Sequence, residues 1–287
     1  MKNTKHAKLD YRSITLVGII GILLFVIYQR PITWVFAECY KRGEYSHGLL
    51  VPFISLFLIV RIWQSLSFAT ETTYKIRWPI SLMTIALLVQ LICLRAEIYF
   101  ISAWSCILLI FSLVWYFQGK ENARKLAFPI FFLLVMVPLP GLFIDTATFP
   151  LKLLAAEVAC RISEILGIVV VRDGVTLFLS QGSLLVGNPC SGIRSLLALS
   201  TCAILFSYIM PGSLTRRIIL VFTSIPIAVF TNITRVTVLC IVASYKGTEI
   251  ATGTFHDVSG FIMSIFGIII IGLIGKYWLC PAIGKKA

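Results

Sequence analysis

Three side chains in this sequence have the types and settings that amide chemistry needs. Cys190 stands in NPCSGIRS, at the start of an apolar stretch. Asn188 suits a helix cap and Pro189 a first helical turn, and at the amino end of a helix free N–H groups and the helix dipole favour a thiolate. Ser191 and Gly192 let another chain approach closely. Arg194, one turn beyond Cys190, is placed to hold a thiolate or a substrate carbonyl. The competing reading is a buried, inert cysteine that serves as a small hydrophobe.

Arg235 lies in NITRV, inside a long apolar stretch. An arginine there costs at least about 2.5 kcal/mol unless it is paired or lines a wet cavity. The rise from Arg217 is about 27 Å, which puts Arg235 near the outer edge of a hydrocarbon core roughly 30 Å thick. Asn232, Thr234 and Thr237 make this end polar on one side. A snorkelling anchor is the plainer reading, but VLCIVA continues apolar beyond the arginine, so a cation turned into a protein cavity is expected. His256 opens the last apolar stretch in TFHDVSGF, beside Asp257, which can set its tautomer or favour the helix dipole. Alone it reads equally as a cap. Topology brings Cys190, Arg235 and His256 to one outer plane, and together they suit acyl transfer. The thiolate attacks an amide, the arginine stabilises the oxyanion, and the imidazole protonates the leaving amine.

The elements that must position these groups are membrane helices. Of the 287 residues, 59% are hydrophobic and 13% charged, with a mean hydropathy of +0.95, which no soluble core absorbs. Apolar runs fall at about 14 to 28, 48 to 66, 79 to 94, 98 to 117, 126 to 144, 190 to 210, 217 to 245 and 258 to 279, predicting eight spans in an all-α polytopic protein. A single integral membrane domain over 1–287 is expected, with a basic tail at 1–12 and a retained first anchor. Alternating the loops gathers most of the 25 lysines and arginines on one side, so both termini are expected in the cytoplasm of a plasma or inner membrane.

The outer-face segment, 145–189, is expected to begin with an amphipathic helix at 150 to 166, with Leu154, Val158, Ile162 and Ile165 on one face. A hairpin or two should follow, with turns at Asp173-Gly174 and Gln181-Gly182. The net charge of +13 is spread over loops and tails, which argues against a nucleic-acid face. The eight cysteines include no CxxC pair and no Cys/His spacing for zinc, so no metal, cofactor or disulfide framework is expected.

At these residues the sequence resembles the exosortase/archaeosortase family of membrane transpeptidases. YSHGLLVPFISLFL at 45 to 58, FPIFFLLVMVPLP at 128 to 140, VRDGVTLFL at 171 to 179, NPCSGIRSLLAL at 188 to 199, NITRV at 232 to 236 and FHDVSGF at 255 to 261 are similar to family segments, in family order. Pro189 departs from the Ala or other small residue of many relatives. The resemblance implies Cys190 as nucleophile, Arg235 as electrostatic partner and His256 as general acid/base, with Asn188, Ser191, Arg194, Asn232 and Asp257 supporting them. The implied partners are exported proteins ending in a short motif, a transmembrane helix and a basic tail, together with membrane lipids and a lipid or glycan acceptor. The rival classes are a transporter or channel with a cavity-lining arginine, a membrane acyl- or glycosyltransferase, and a scaffold without chemistry.

Overall fold

The computed structural model describes residues 11–66, 76–187 and 192–279; Asn188, Pro189, Cys190 and Ser191 lie outside the described residues. Among the described residues six helices are long and apolar enough to cross a membrane: Gly18–Lys41, Gly43–Ser65, Arg77–Ala96, Tyr99–Met136, Leu214–Lys246 and Phe255–Tyr277. Their outward faces carry exposed large apolar side chains such as Ile22, Phe53, Phe57 and Phe261, as lipid contact requires. The protein is an all-α polytopic membrane protein with one small sheet. Eight spans were expected, and six helices qualify by length and apolarity among the described residues: the fourth and fifth apolar runs lie in Tyr99–Met136, where two helices join at Gly119, and the sixth forms a helix of only 17 residues, Ile193–Ile209.

By contact, the described residues form two compact units, one within Met1–Arg42 and Ser46–Pro138, the other within Gly43–Tyr45 and Leu139–Ala287. The first contains α1 (Tyr11–Lys41), α2 (Val51–Ile62), α3 (Arg77–Ala96) and α4 (Tyr99–Phe132). Helix α4 folds back on itself at Gly119, where φ is 81° and ψ 170°. The rings of Phe111 and Phe131 meet at 4.9 Å, although a straight helix would separate them by about 30 Å. Buried polar side chains tie these helices together. The Tyr28 and Ser105 hydroxyls lie 3.2 Å apart, and Gln90 donates to the Ile27 carbonyl while accepting from Ser102. Past Pro129 the helix tightens, the Leu133 N–H turns to Ile130, and Ser55 donates to the Pro129 carbonyl at 2.7 Å. Each such bond in a bilayer contributes on the order of 0.6 kcal/mol.

The second unit contains α5 (Gly141–Ile165), strands β1 (Val170–Asp173), β2 (Thr176–Leu179) and β3 (Gly182–Leu185), then α6 (Ile193–Ile209), α7 (Leu214–Lys246), α8 (Thr248–Thr252) and α9 (Thr254–Ile274). The amphipathic helix starts at Gly141, because Pro138 and Pro140 stop the preceding stretch, so residues 141 to 144 belong to it and not to a fifth span. It packs against protein through a second face, of small residues. Ala155, Ala156, Ala159 and Cys160 pack into the core, and Leu154 and Ile165 are exposed. Small side chains let α5 approach α7 closely, which leaves the larger apolar face outward.

The two hairpins form as expected, in an antiparallel sheet of order β1-β2-β3, with Gly174 at φ 59° and Gly182 at φ 132° in the turns. Val170, Leu177, Leu179 and Leu184 point inward and share one core with Val236, Leu239, Cys240 and Ala243 of α7. The tip of the second hairpin is fixed to the end of α7, where Gln181 donates to the Ser244 carbonyl at 3.0 Å.

Candidate functional site

Helix α7 runs on past an internal proline, Pro226, as far as Gly247. It begins at Ser213, whose side chain caps it by accepting from the Arg216 N–H, and it ends at Gly247 with φ 92°. Helical spacing puts Ala228, Asn232, Arg235 and Leu239 on one buried face. Arg235 is 4% exposed and Asn232 4%, so both polar groups are turned into protein rather than snorkelling.

Across from them, α9 begins with the His256 N–H donating to the Gly253 carbonyl at 3.0 Å, which presents His256 in the first turn. The guanidinium Nη2 of Arg235 lies 2.7 Å from His256 Nε2 and 3.4 Å from the His256 carbonyl oxygen. An arginine can only donate, so Nε2 accepts. His256 is then the neutral tautomer with its proton on Nδ1, where the Asp257 carboxylate stands 3.3 Å away. Asp257 itself is largely in solvent, its side chain 79% exposed.

Gly260, one turn after His256 on the same helix, supplies the seat for the arginine. A Cβ there would lie 3.2 Å from Arg235 Cζ, so the guanidinium rests flat on a helix surface that only glycine leaves open. Sequence reasoning missed this residue, although its i+4 spacing from His256 is visible in HDVSG. Gly192 has the same relation to Asn232: its φ is 73°, and a Cβ would fall 2.8 Å from Asn232 Cγ. The chain that carries the NPCSG motif therefore enters the described structure pressed against the residue one turn from Arg235.

Arg194 is exposed and reaches elsewhere, its Nε donating to the Gly43 carbonyl at 3.0 Å. Close by, the Tyr45 hydroxyl accepts from the Leu139 N–H at 3.0 Å. Of the expected site residues, then, Arg235, His256, Asn232 and Asp257 are gathered together, Arg194 is directed to Gly43, and Asn188, Cys190 and Ser191 are outside the described residues. Cys160, by contrast, is buried between α5 and β1, with its Sγ 3.6 Å from Glu164 and 3.7 Å from the Val170 carbonyl. Burial, then the Glu164 carboxylate, pushes its thiol pKa up, against any role as a nucleophile.

The arrangement can therefore hold one proton at an imidazole and one positive charge beside it, both away from bulk water. No curated protein and no solved structure matches the sequence. A model of the family described as transmembrane exosortase (Exosortase_EpsH) matches residues 40–275, a stretch that includes every residue of the gathered site, and on this match the chain belongs to the transmembrane exosortase family.

Proposed function

We propose that this protein is a membrane cysteine transpeptidase that cuts the carboxy-terminal sorting signal from exported proteins and passes them to an acceptor. The observation that carries the reading is the buried contact of 2.7 Å between Arg235 and His256, next to an Asn232 on which Gly192 sits. Cys190 precedes Gly192 by two residues in NPCSG, and this sequence proximity supports Cys190 as the nucleophile of the reading.

In the first step His256 Nε2 takes the Cys190 proton and the thiolate adds to the scissile carbonyl carbon. An imidazolium cannot accept from Arg235, and two cations at that distance repel, so the guanidinium turns to the oxyanion as the charge develops. The C–N bond then breaks, Nε2 returns its proton to the leaving amine, and a thioester remains. In the second step an amine or hydroxyl on a lipid or glycan acceptor loses its proton to Nε2 and attacks the thioester. Cys190 leaves as thiolate and recovers the proton. Water in place of the acceptor gives hydrolysis.

The reading places both termini in the cytoplasm, the site at the outer face, and the chain across the membrane eight times. The return of α4 at Gly119 supports two crossings within one helical stretch, and Ile193–Ile209 supplies a short one. A reporter fused near Asn122 should be cytoplasmic, and a periplasmic or extracellular signal there overturns the eight-crossing order. The chemistry is tested by co-expressing a client that bears a sorting signal with wild type or Cys190→Ala. Wild type shortens the client and the variant leaves it whole; cleavage by Cys190→Ala refutes the mechanism.

A further inference from the structure

We propose that Asn232 and the cavity beside it form a subsite for the client residue next to the scissile bond. The backbone N–H of that residue donates to Asn232 Oδ1, and its side chain, no larger than a methyl group, fills the cavity. The proposal rests on the peptidase reading above and adds what the site selects.

Asn232 Oδ1 is buried with no hydrogen-bond partner among the described residues. Buried acceptors are almost always satisfied, so this one is set for a donor that arrives with a ligand. Asn232 lines a cavity of about 10 Å³, room for one group the size of a water or a methyl. The walls are otherwise apolar: Leu151 and Ala155 from α5, Leu196 from α6, and Ala228 and Val229 from α7. A resident water needs at least two polar partners, and these side chains offer one. A peptide group with a small side chain satisfies both features, since its N–H meets the oxygen and its methyl meets the walls.

The position suits the chemistry. Asn232 and Arg235 are three residues apart on one helix, so their Cβ atoms are about 5 to 6 Å apart, between one and two steps of about 3.8 Å along an extended client. A client whose scissile carbonyl faces Arg235 thus brings a neighbouring N–H to Asn232. Gly192 lines the cavity too, and its lack of a side chain leaves Asn232 its place, since a Cβ there would fall 2.8 Å from Asn232 Cγ.

The test uses the full chain in lipid nanodiscs and synthetic clients spanning a sorting signal. The residue on each side of the cleaved bond is varied through Gly, Ala, Val and Leu, and in a second set its N–H is replaced by N-methyl. Wild type should prefer Gly and Ala and lose about tenfold in kcat/KM for the N-methyl client, the effect of one buried hydrogen bond. Asn232→Leu should raise KM about tenfold for the parent client, with kcat nearly unchanged, and should treat N–H and N-methyl clients alike. Val229→Ala, on a partly exposed wall, should let the Val client in, and it tests the cavity even if Asn232→Leu fails to fold. An Asn232→Leu enzyme that keeps wild-type KM and still discriminates N-methyl overturns the proposal, as does a Val229→Ala enzyme with unchanged side-chain preference. Cys190→Ala is the control that separates the two readings. If it cleaves, the peptidase mechanism fails; if it is dead while Asn232→Leu behaves as wild type, only the subsite fails.

Discussion

A methyl group added at Gly260 should slow client cleavage about fivefold without weakening the fold. The built Cβ lies 3.2 Å from Arg235 Cζ and 3.3 Å from Nη2, inside ordinary contact distance. Relief requires the guanidinium to lift off α9 by about 0.4 Å. Because His256 lies on the same face of α9 one turn earlier, lifting off Gly260 is also lifting off His256. The 2.7 Å bond to Nε2 then stretches to roughly 3.1 Å, near the long end of the hydrogen-bond range. A bond to a charged group contributes about 1.5 to 3 kcal/mol, so a loss near 1 kcal/mol is reasonable and corresponds to about fivefold in rate. Alanine in place of a helical glycine has the opposite effect on stability, a gain of about 0.5 to 1 kcal/mol. The assay is the initial rate of client cleavage in matched membranes, set beside thermal unfolding in detergent. Gly18→Ala in α1, where an added Cβ has no atom within 4 Å, is the control: the same helix gain with no loss of rate. A Gly260→Ala protein that is more stable and fully active refutes the claim that close seating of Arg235 on His256 matters to turnover.

Gly192→Ala should damage both fold and activity. A φ of 73° costs an L residue about 1 to 2 kcal/mol, and the new Cβ would sit 2.8 and 2.9 Å from Asn232 Cγ and Cβ, atoms close to the α7 backbone. A lowered melting temperature together with at least about tenfold slower cleavage is expected, and a neutral variant contradicts the packing described. Cys160 should alkylate with iodoacetamide more slowly at mildly alkaline pH than an unperturbed thiol, because its pKa is raised by burial and then by Glu164. Cys160→Ser should therefore leave client cleavage unchanged; loss of cleavage would identify a second working thiol.

Much of this was legible in the sequence because membrane helices are written in long apolar runs and because a charge inside one is conspicuous. The family resemblance, read from motifs between 45 and 261, is borne out by the family match over 40–275. The turns at Gly174 and Gly182 were legible for a local reason, since left-handed backbone selects glycine. The fourth and fifth runs were read as separate spans, and what the sequence did not show is that they join through a reversal at a single glycine, a feature with no hydropathy signal. The protein-facing side of α5 went unread because periodicity finds the large apolar residues, whereas close helix packing here uses alanines. Arg194 is directed to a carbonyl 151 residues away, a contact no local pattern encodes.

The apolar continuation past Arg235 is the most instructive case, because it was the reason to expect a cavity-facing arginine in place of a snorkelling anchor. Helix α7 has 33 residues and rises about 50 Å, well beyond a hydrocarbon core of roughly 30 Å. Its last turns are apolar for another reason. Val236, Leu239, Cys240 and Ala243 are covered by the sheet and by Ala155, Ala156 and Ala159 of α5, so this end of the helix has a protein core around it in place of lipid. That cover is what a buried cation requires. With apolar packing above it and His256 beside it, Arg235 can sit where water is scarce without facing acyl chains, and its field acts at short range on the imidazole and on whatever carbonyl is brought to it. The amphipathic helix and the sheet, which lie between the early spans and the NPCSG motif in the sequence, make this packing. They form the cover over the far end of α7, and the chain then reaches Asn232 at Gly192.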